Sequence, residues 1–466
     1  MTYYLDPFGC VKNQVDAENM MAALNRSGWA PAENPEAADL IIVNSCGFIE
    51  SAKQESINAV LAWRKLCPEK KILLAGCLAQ RYAKELAGEL TEADGFFGID
   101  DPAGIVKAAL KTMKLRPRAP RVPGTGGTGN TVTGFAGKRP LLSPPGSAYV
   151  KISEGCDNHC SFCAIPLIRG GLKSRSIKEI AGECKTLLGR GIKELCLIAQ
   201  DTGSYGRDMV ANSSGKLPGK LPGLMEAISQ FKGKFRVRLL YIHPDHFPLA
   251  ILDIMEKDKR FIPYFDIPFQ HGSEKILKAM NRQGSAESYL NLIALIRRRL
   301  SDAVIRSTFL TGFPGETEED FRLLLDFQKK ARLDWMGCFA WSREEGTAAY
   351  SMKSRVAKKT ALERKRLVEE AQIPITERQM DRFVGRMLEV LVEEKFEPLG
   401  KRSVGDIKRS MGDIHDSGLY LGRLPCQAPE VDGTTVILSR RLLELGAMLP
   451  CRVTARRGFD LEAEVI

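Results

Sequence analysis

The chain has 466 residues, 44% hydrophobic and 27% charged, and its 68 Lys and Arg exceed its 57 Asp and Glu to give a net charge of +11. That length suits two to four domains, and no apolar run approaches the roughly 18 residues of a membrane span, which excludes an integral membrane protein. The first residues show no basic stretch followed by an apolar core, so no secretory signal is expected, and twelve cysteines then point to metal or redox chemistry in a reducing cytoplasm, not to a disulfide framework.

In chain order, Tyr3-Tyr4-Leu5, Leu40-Ile41-Ile42-Val43 and Ile72-Leu73-Leu74-Ala75 are short apolar runs, each followed by a helical pattern. That alternation predicts βαβ units and an open parallel sheet in residues 1–115. Residues 116–147 are rich in Pro, Gly and Thr and read as a linker. From 148 to 373 the alternation resumes, with candidate strands at 149–153, 195–199, 237–242, 265–269, 304–310 and 337–341. Six βα units in succession predict a barrel or partial barrel, with its chemistry at the C-terminal strand ends. The stretch 208–222 looks like a surface loop. A long helical run is expected to end near Gln372, before Pro374. Short strands at 387–392, 419–422, 434–438 and 451–455 then predict a small all-β barrel in residues 374–466.

The charge is uneven. Residues 103–147 hold eight Lys and Arg and no acid, whereas residues 376–466 hold 14 bases and 15 acids. The excess therefore sits in the connecting stretch, where a solvated linker is the plain reading.

Cys156, Cys160 and Cys163 form C-x3-C-x2-C directly after the first strand of the middle segment. Three thiolates in one loop suit a cubane with one iron left open, whereas structural zinc takes four protein ligands; His159, inside the loop, could supply a fourth on paper. Cys10, Cys46 and Cys77 each stand just past a candidate strand of the first segment. In an open parallel sheet those ends share one edge, so three cysteines distant in sequence can meet there, although single cysteines are also often simply buried. Cys67, Cys184, Cys196, Cys338, Cys426 and Cys451 lack cluster spacing and read as small core residues or unpaired thiols.

C-x3-C-x2-C with Phe162 before the last cysteine resembles the radical S-adenosylmethionine signature. Gly9-Cys10-Val11-Lys12-Asn13-Gln14-Val15-Asp16-Ala17-Glu18, Asn44-Ser45-Cys46-Gly47-Phe48-Ile49 and Gly76-Cys77-Leu78-Ala79-Gln80-Arg81-Tyr82 are similar to the N-terminal domain of the methylthiotransferases, and the tail resembles a TRAM domain. The protein-modifying branch of that family typically has Gly-Cys-Pro-Lys-Asn and Asn-Thr-Cys-x-Phe-Ile. This chain departs from it at Val11 and Ser45, while the tRNA-modifying branches usually carry Met or Val at the position of Lys12. Glu344-Glu345-Gly346-Thr347 and Gln427-Ala428-Pro429-Glu430-Val431-Asp432-Gly433 also resemble the protein-modifying branch. A near-neutral tail favours a protein over an RNA substrate, since phosphate contacts require bases.

The resemblance implies two [4Fe–4S] clusters, an auxiliary one on Cys10, Cys46 and Cys77 and a radical-generating one on Cys156, Cys160 and Cys163. It implies that one S-adenosylmethionine methylates sulfur at the first and another is cleaved at the second. The resulting carbon radical would take a hydrogen from the β-carbon of an aspartate in small-subunit ribosomal protein twelve. It further implies a flavodoxin or ferredoxin as electron donor and a cytoplasmic location; the sulfur donor is not implied. The alternatives are methylthiolation of a tRNA adenosine and a non-catalytic metalloprotein that binds the ribosome. Phe162, Gln200, Gln270, Arg306 and Thr308 are candidate contacts to S-adenosylmethionine. His271 reads as structural, Asp201 and the turn 312–316 as strand-end polar contacts, and Tyr205 and Trp341 as packing residues. Glu318, Glu319 and Asp320 read as the acidic first turn of a helix.

Overall fold

The computed structural model describes residues 1–99, 101–115, 138–209, 220–396 and 418–466. Residues 116–137 of the expected linker and 210–219 of the expected loop lie outside them.

The first segment is a parallel sheet flanked by helices. Its strands are β1 (Thr2–Pro7), β2 (Ala30–Pro31), β3 (Leu40–Ser45), β4 (Lys71–Gly76) and β5 (Gly95–Phe97), in the order β2-β1-β3-β4-β5. Helices α1 (Val11–Arg26), α2 (Glu50–Leu66), α3 (Cys77–Glu89) and α4 (Ile105–Thr112) connect or follow them. Ile41, Val43, Ile72 and Leu74 point to one face and Leu40, Ile42, Leu73 and Ala75 to the other, and both faces are buried. That two-sided burial is why these strands read as continuous apolar runs.

The middle segment is a six-stranded parallel sheet curved into an open barrel. Its first strand, β6 (Ser147–Lys151), is followed by the short antiparallel pair β7 (Ser153–Glu154) and β8 (Lys173–Ser174). The other sheet strands are β9 (Glu194–Ile198), β10 (Arg236–Leu239), β11 (Phe261–Asp266), β12 (Val304–Thr311) and β13 (Trp335–Ala340), all in sequential order. Helices α5 (Ile165–Arg169), α6 (Ile177–Gly189), α7 (Leu221–Ser229), α8 (Ala250–Lys257), α9 (Glu274–Ala279), α10 (Ala286–Arg299), α11 (Glu318–Ala331) and α12 (Lys358–Asp381) accompany it. The main core, including Val237, Phe265, Ile305 and Phe309, lies between sheet and helices.

Three expectations need correction. The fourth barrel strand ends at Asp266, not Phe269; Pro268 lacks the N–H that would continue the ladder. The last helix does not stop near Gln372 but runs through Pro374 to Asp381. Buried side-chain bonds anchor it across the proline: Gln372 Nε2 donates to Leu333 O at 2.8 Å and to Thr376 Oγ1 at 3.0 Å. Finally, the expected linker is not solvated to its end. Arg139 is only 2% exposed, its guanidinium donating to Glu18 at 2.6 Å and also to Glu183 and the Tyr149 carbonyl.

The tail is a closed five-stranded barrel, β14 (Met387–Lys395), β15 (Gly418–Arg423), β16 (Thr435–Ser439), β17 (Met448–Arg457) and β18 (Asp460–Val465), in the order β14-β15-β16-β18-β17. It seals the N-terminal end of the open barrel. Glu194 accepts from Arg238 Nε at 3.2 Å, from Arg423 Nη1 at 2.9 Å and from Arg236 Nε. Nearby, Trp335 Nε1 donates to Cys426 O at 2.7 Å and Tyr264 Oη to Asp432 Oδ2 at 2.6 Å. No helix among the described residues is long and apolar enough to cross a membrane.

Candidate iron–sulfur and cofactor site

β1, β3 and β4 are neighbours in one sheet, so their C-terminal ends form a single edge. Cys10 caps α1 three residues beyond β1, Cys46 follows β3, and Cys77 opens α3 directly after β4. Asn13 ties the three loops together: its Nδ2 donates to Phe8 O at 2.6 Å and Ser45 O at 3.1 Å, and its Oδ1 lies 3.7 Å from Cys77 Sγ. Two glycines allow the loops to close up. A Cβ on Gly47 would stand 2.7 Å from Cys77 O, and one on Gly76, at φ +93°, 2.6 Å from Ser45 O, closer than a side chain tolerates.

Opposite this edge, the loop after β7 carries Cys156, Cys160 and Cys163. Its backbone is pinned by Cys156 N to Gly170 O at 3.1 Å, Ser161 N to Met280 O at 3.1 Å and Ala349 N to Ser161 O at 2.7 Å. Asp201, held well below its ordinary range by several donors despite burial, accepts from Asn158 Nδ2 at 3.0 Å and so fixes the loop from β9. His159 is exposed with a left-handed backbone, φ +49°.

α5 joins the two thiol sets. Arg169, six residues after Cys163, donates from Nη2 to Cys77 Sγ at 3.1 Å. Ala164, next to Cys163, packs with Cys77 in the same small cluster, so the two sets come close to each other. Arg169 is held in turn by Glu154 Oε1 at 2.8 Å and Asp16 Oδ2 at 2.9 Å, and Lys151 pairs with the same Asp16 and Glu154. Because Asp16 belongs to α1 and the rest to the open barrel, this buried network locks the first sheet over the barrel mouth. A second clasp lies at the rim, where Glu344, 2% exposed, accepts from Arg81 at 2.9 Å and Lys53 at 3.1 Å.

Three cysteines on one sheet edge and three in one loop suit a cubane, in which each thiolate binds a different iron and one iron keeps no protein ligand. Among the described residues no three His, Cys, Asp or Glu are placed to hold a single metal ion. Burial pushes Cys77 up to about 12, Cys163 to about 12 and Cys156 to about 11, and it also raises Cys46. Cys10 is exposed to solvent; desolvation by the surrounding loops raises it, but Lys12, Arg169 and the backbone N–H groups of Asn13 and Lys12 together outweigh that and hold the thiol below its ordinary value. Thiols so placed ionise when a metal supplies the opposing positive charge.

The other candidates are spread around the mouth. Gln200 donates to Glu154 at 3.2 Å and leaves its Oε1 buried without a partner. Gln270, at φ +69°, bridges to Phe309, and its N–H bonds to Thr308 O at 2.9 Å. Arg306 lies deeper, 3.2 Å from Asp266 and 3.5 Å from Asp432. Phe162 packs with Ile276, Met280, Phe313 and Trp341. Tyr205 is fully buried, its hydroxyl on Arg175 O at 2.7 Å. His271 is fully buried, accepting from Ser273 N at 2.9 Å. Sequence reasoning missed Lys12, Asp16, Asn13 and Arg169 as site residues; Lys12, Asn13 and Asp16 stand within the first cysteine motif, a signal that was available.

A family model described as Uncharacterized protein family UPF0004 matches residues 2–98, the Radical SAM superfamily model matches 150–327, and the TRAM domain model matches 384–466. The chain is 46% identical to the ribosomal protein uS12 methylthiotransferase RimO of Treponema denticola, over 99% of this chain and 100% of that one. It is 37% identical to the protein of the same name from Pseudothermotoga lettingae, over 98% of each. The one from Aquifex aeolicus is also 37% identical, over 97% of this chain and 94% of that one. Among solved structures, the radical S-adenosylmethionine methyltransferase TsrM from Kitasatospora setae has a TM-score of 0.52 at 14% identity, covering 75% of this chain and 73% of that one; this likeness shows a shared fold alone.

Proposed function

We propose a function on one premise: the chain belongs to the methylthiotransferase family of radical S-adenosylmethionine enzymes, in the uS12 methylthiotransferase branch. It is accordingly an enzyme that uses S-adenosylmethionine and [4Fe–4S] clusters. Its substrate is ribosomal protein uS12, on which it places a methylthio group at the β-carbon of an aspartate. It works in the cytoplasm and takes electrons from a flavodoxin or ferredoxin.

The observation that carries this reading is the convergence of two three-cysteine sets on one chamber, joined by α5 and Arg169. Cys156, Cys160 and Cys163 would hold one cluster and Cys10, Cys46 and Cys77 the other, each leaving one iron without a protein ligand. When bound, these groups supply a carbon radical able to attack an unactivated C–H bond and the sulfur that replaces the hydrogen.

The chain's own residues position and exclude. The network of Asp16, Lys151, Glu154 and Arg169 fixes the spacing between the two thiol sets. The Glu344 clasp and the tail barrel close the chamber at rim and base, which keeps water from a reactive intermediate. S-adenosylmethionine is placed against Phe162, Gln200, Gln270, Arg306 and Thr308. The unpartnered Oε1 of Gln200 is an acceptor free for it.

The test supplies reductant, sulfide, S-adenosylmethionine and uS12 to the reconstituted chain and follows 5′-deoxyadenosine and the mass of uS12. Cys160→Ala abolishes 5′-deoxyadenosine. Cys46→Ala still forms it but leaves uS12 unmodified. Methylthio product from Cys46→Ala would overturn the assignment of two roles. Methylthiolated tRNA adenosine beside unmodified uS12 would move the chain to the other branch.

A further inference from the structure

Lys12 is the second residue of α1 and is 9% exposed. Its ammonium stands 3.3 Å from the centroid of the Tyr241 ring, on the loop after β10. Cys10, Arg169, Asp266 and Glu154 are the groups whose charges act most strongly on it. The two carboxylates are already engaged, Asp266 by Arg306 and Glu154 by Arg169 and Lys151. Among the described residues no side chain or carbonyl accepts a hydrogen bond from Lys12. A second buried lysine among the described residues, Lys151, contrasts with it, donating to both Asp16 and Glu154.

An ammonium largely withdrawn from water that finds no protein acceptor is costly. The ring of Tyr241 offsets part of that cost and aims the charge, but leaves its donors unused. Such a group is a receptor for an anion that arrives from outside. Its place in the chain narrows the choice, because Lys12 lies two residues from Cys10 and faces the mouth of the open barrel.

We infer that Lys12 receives the side-chain carboxylate of the substrate aspartate and thereby selects it. This rests on the uS12 reading above. The β-carbon is one bond from that carboxylate, so a carboxylate held on Lys12 sets the reacting carbon beside the Cys10 set and within the chamber shared with Cys156, Cys160 and Cys163. Lys12 forms and breaks no covalent bond; it is a specificity-determining residue. An asparagine in the same position offers an acceptor without charge and brings NH2 donors against the ammonium, so it is disfavoured.

The experiment measures binding of two uS12 peptides to the reconstituted holoenzyme by fluorescence anisotropy, one with the target aspartate and one with asparagine there. Wild type binds the aspartate peptide roughly ten- to a hundredfold more tightly, the worth of a charged hydrogen bond. Lys12→Met binds both alike, Lys12→Arg keeps the preference, and iron content stays at the wild-type value in both variants. Should Lys12→Met lose iron, Lys12→Gln, which keeps a polar side chain there, carries the same comparison. A wild type without preference, or a Lys12→Met or Lys12→Gln variant that keeps the full preference, overturns the inference. If wild type modifies uS12 and prefers aspartate independently of Lys12, only this inference fails; if it modifies no uS12 at all, the proposed function fails first.

Discussion

Glu344 offers the sharpest structural test of how the first sheet is held over the barrel. Its carboxylate is buried and accepts from Arg81 at 2.9 Å, from Lys53 at 3.1 Å and from Ser342 at 2.6 Å. Arg81 and Lys53 belong to α3 and α2, the helices that flank the strands carrying Cys46 and Cys77. Glu344→Ala takes the carboxylate partner from a guanidinium whose side chain is only 6% exposed, leaving it the carbonyls of Gly47 at 3.0 Å and Glu345 at 2.7 Å. Breaking a buried pair by removing one partner costs about 3–5 kcal/mol. Because Lys53 reaches solvent at 13%, the lower end, about 3 kcal/mol, is expected. This falls on docking of the first sheet, not on the barrel core, so it appears as local opening. Hydrogen exchange is the assay: amides of α2 and α3 should exchange roughly a hundredfold faster, while those of β9 to β12 stay at wild-type rates. If α2 and α3 keep protection within about threefold of wild type, the clasp is not what holds the domain, and the Asp16 network alone does so.

Two further outcomes follow from buried charges. Glu194→Ala leaves Arg236, Arg238 and Arg423 facing one another at the barrel base, which should cost about 3–5 kcal/mol; limited proteolysis should then release the tail barrel, and an intact chain under those conditions would refute the lock. Asp432 is raised by burial to about 6, even though Arg306 and Tyr264 oppose the shift. A raised carboxyl contributes stability below its unfolded value, near 3.8, and loses it as pH climbs through about 6. The stability of Asp432→Asn relative to wild type should therefore rise by about 3 kcal/mol between pH 3.5 and pH 7. A difference that does not change with pH in urea titrations would contradict it.

Much of the fold was legible because the decisive strands are buried on both faces. Leu40–Ser45 and Lys71–Gly76 are nearly continuous apolar runs, and a cysteine directly after each is a local pattern. The six barrel strands showed for the same reason. β18 was missed because, although Leu461 and Ala463 alternate into the tail barrel, Asp460, Glu462, Ala463 and Glu464 are poor strand formers. Arg139 was misread because composition reports the Pro, Gly and Thr that surround it in the sequence and not the two acids, Glu18 and Glu183, that receive it.

The site was legible as cysteines and little else. α1 has a polar sequence, and Lys12, Asn13, Asp16 and Glu18 look like a solvated face. They are buried because the open barrel mouth lies against them, a fact that belongs to domain packing and not to local pattern. The segments around Glu344 and Asp432 stood out by resemblance, but the contacts they make, with Arg81 and Tyr264, involve partners about 260 and 170 residues away.

The claim on which all else depends is that two separate thiol sets each hold a cubane. Iron and acid-labile sulfide per chain, measured after anaerobic reconstitution, test it directly. About eight irons are expected, falling to about four when Cys10, Cys46 and Cys77 are all replaced by alanine. About four irons in the wild type, unchanged by that triple replacement, would contradict the account and leave a radical enzyme with no second site from which to deliver sulfur.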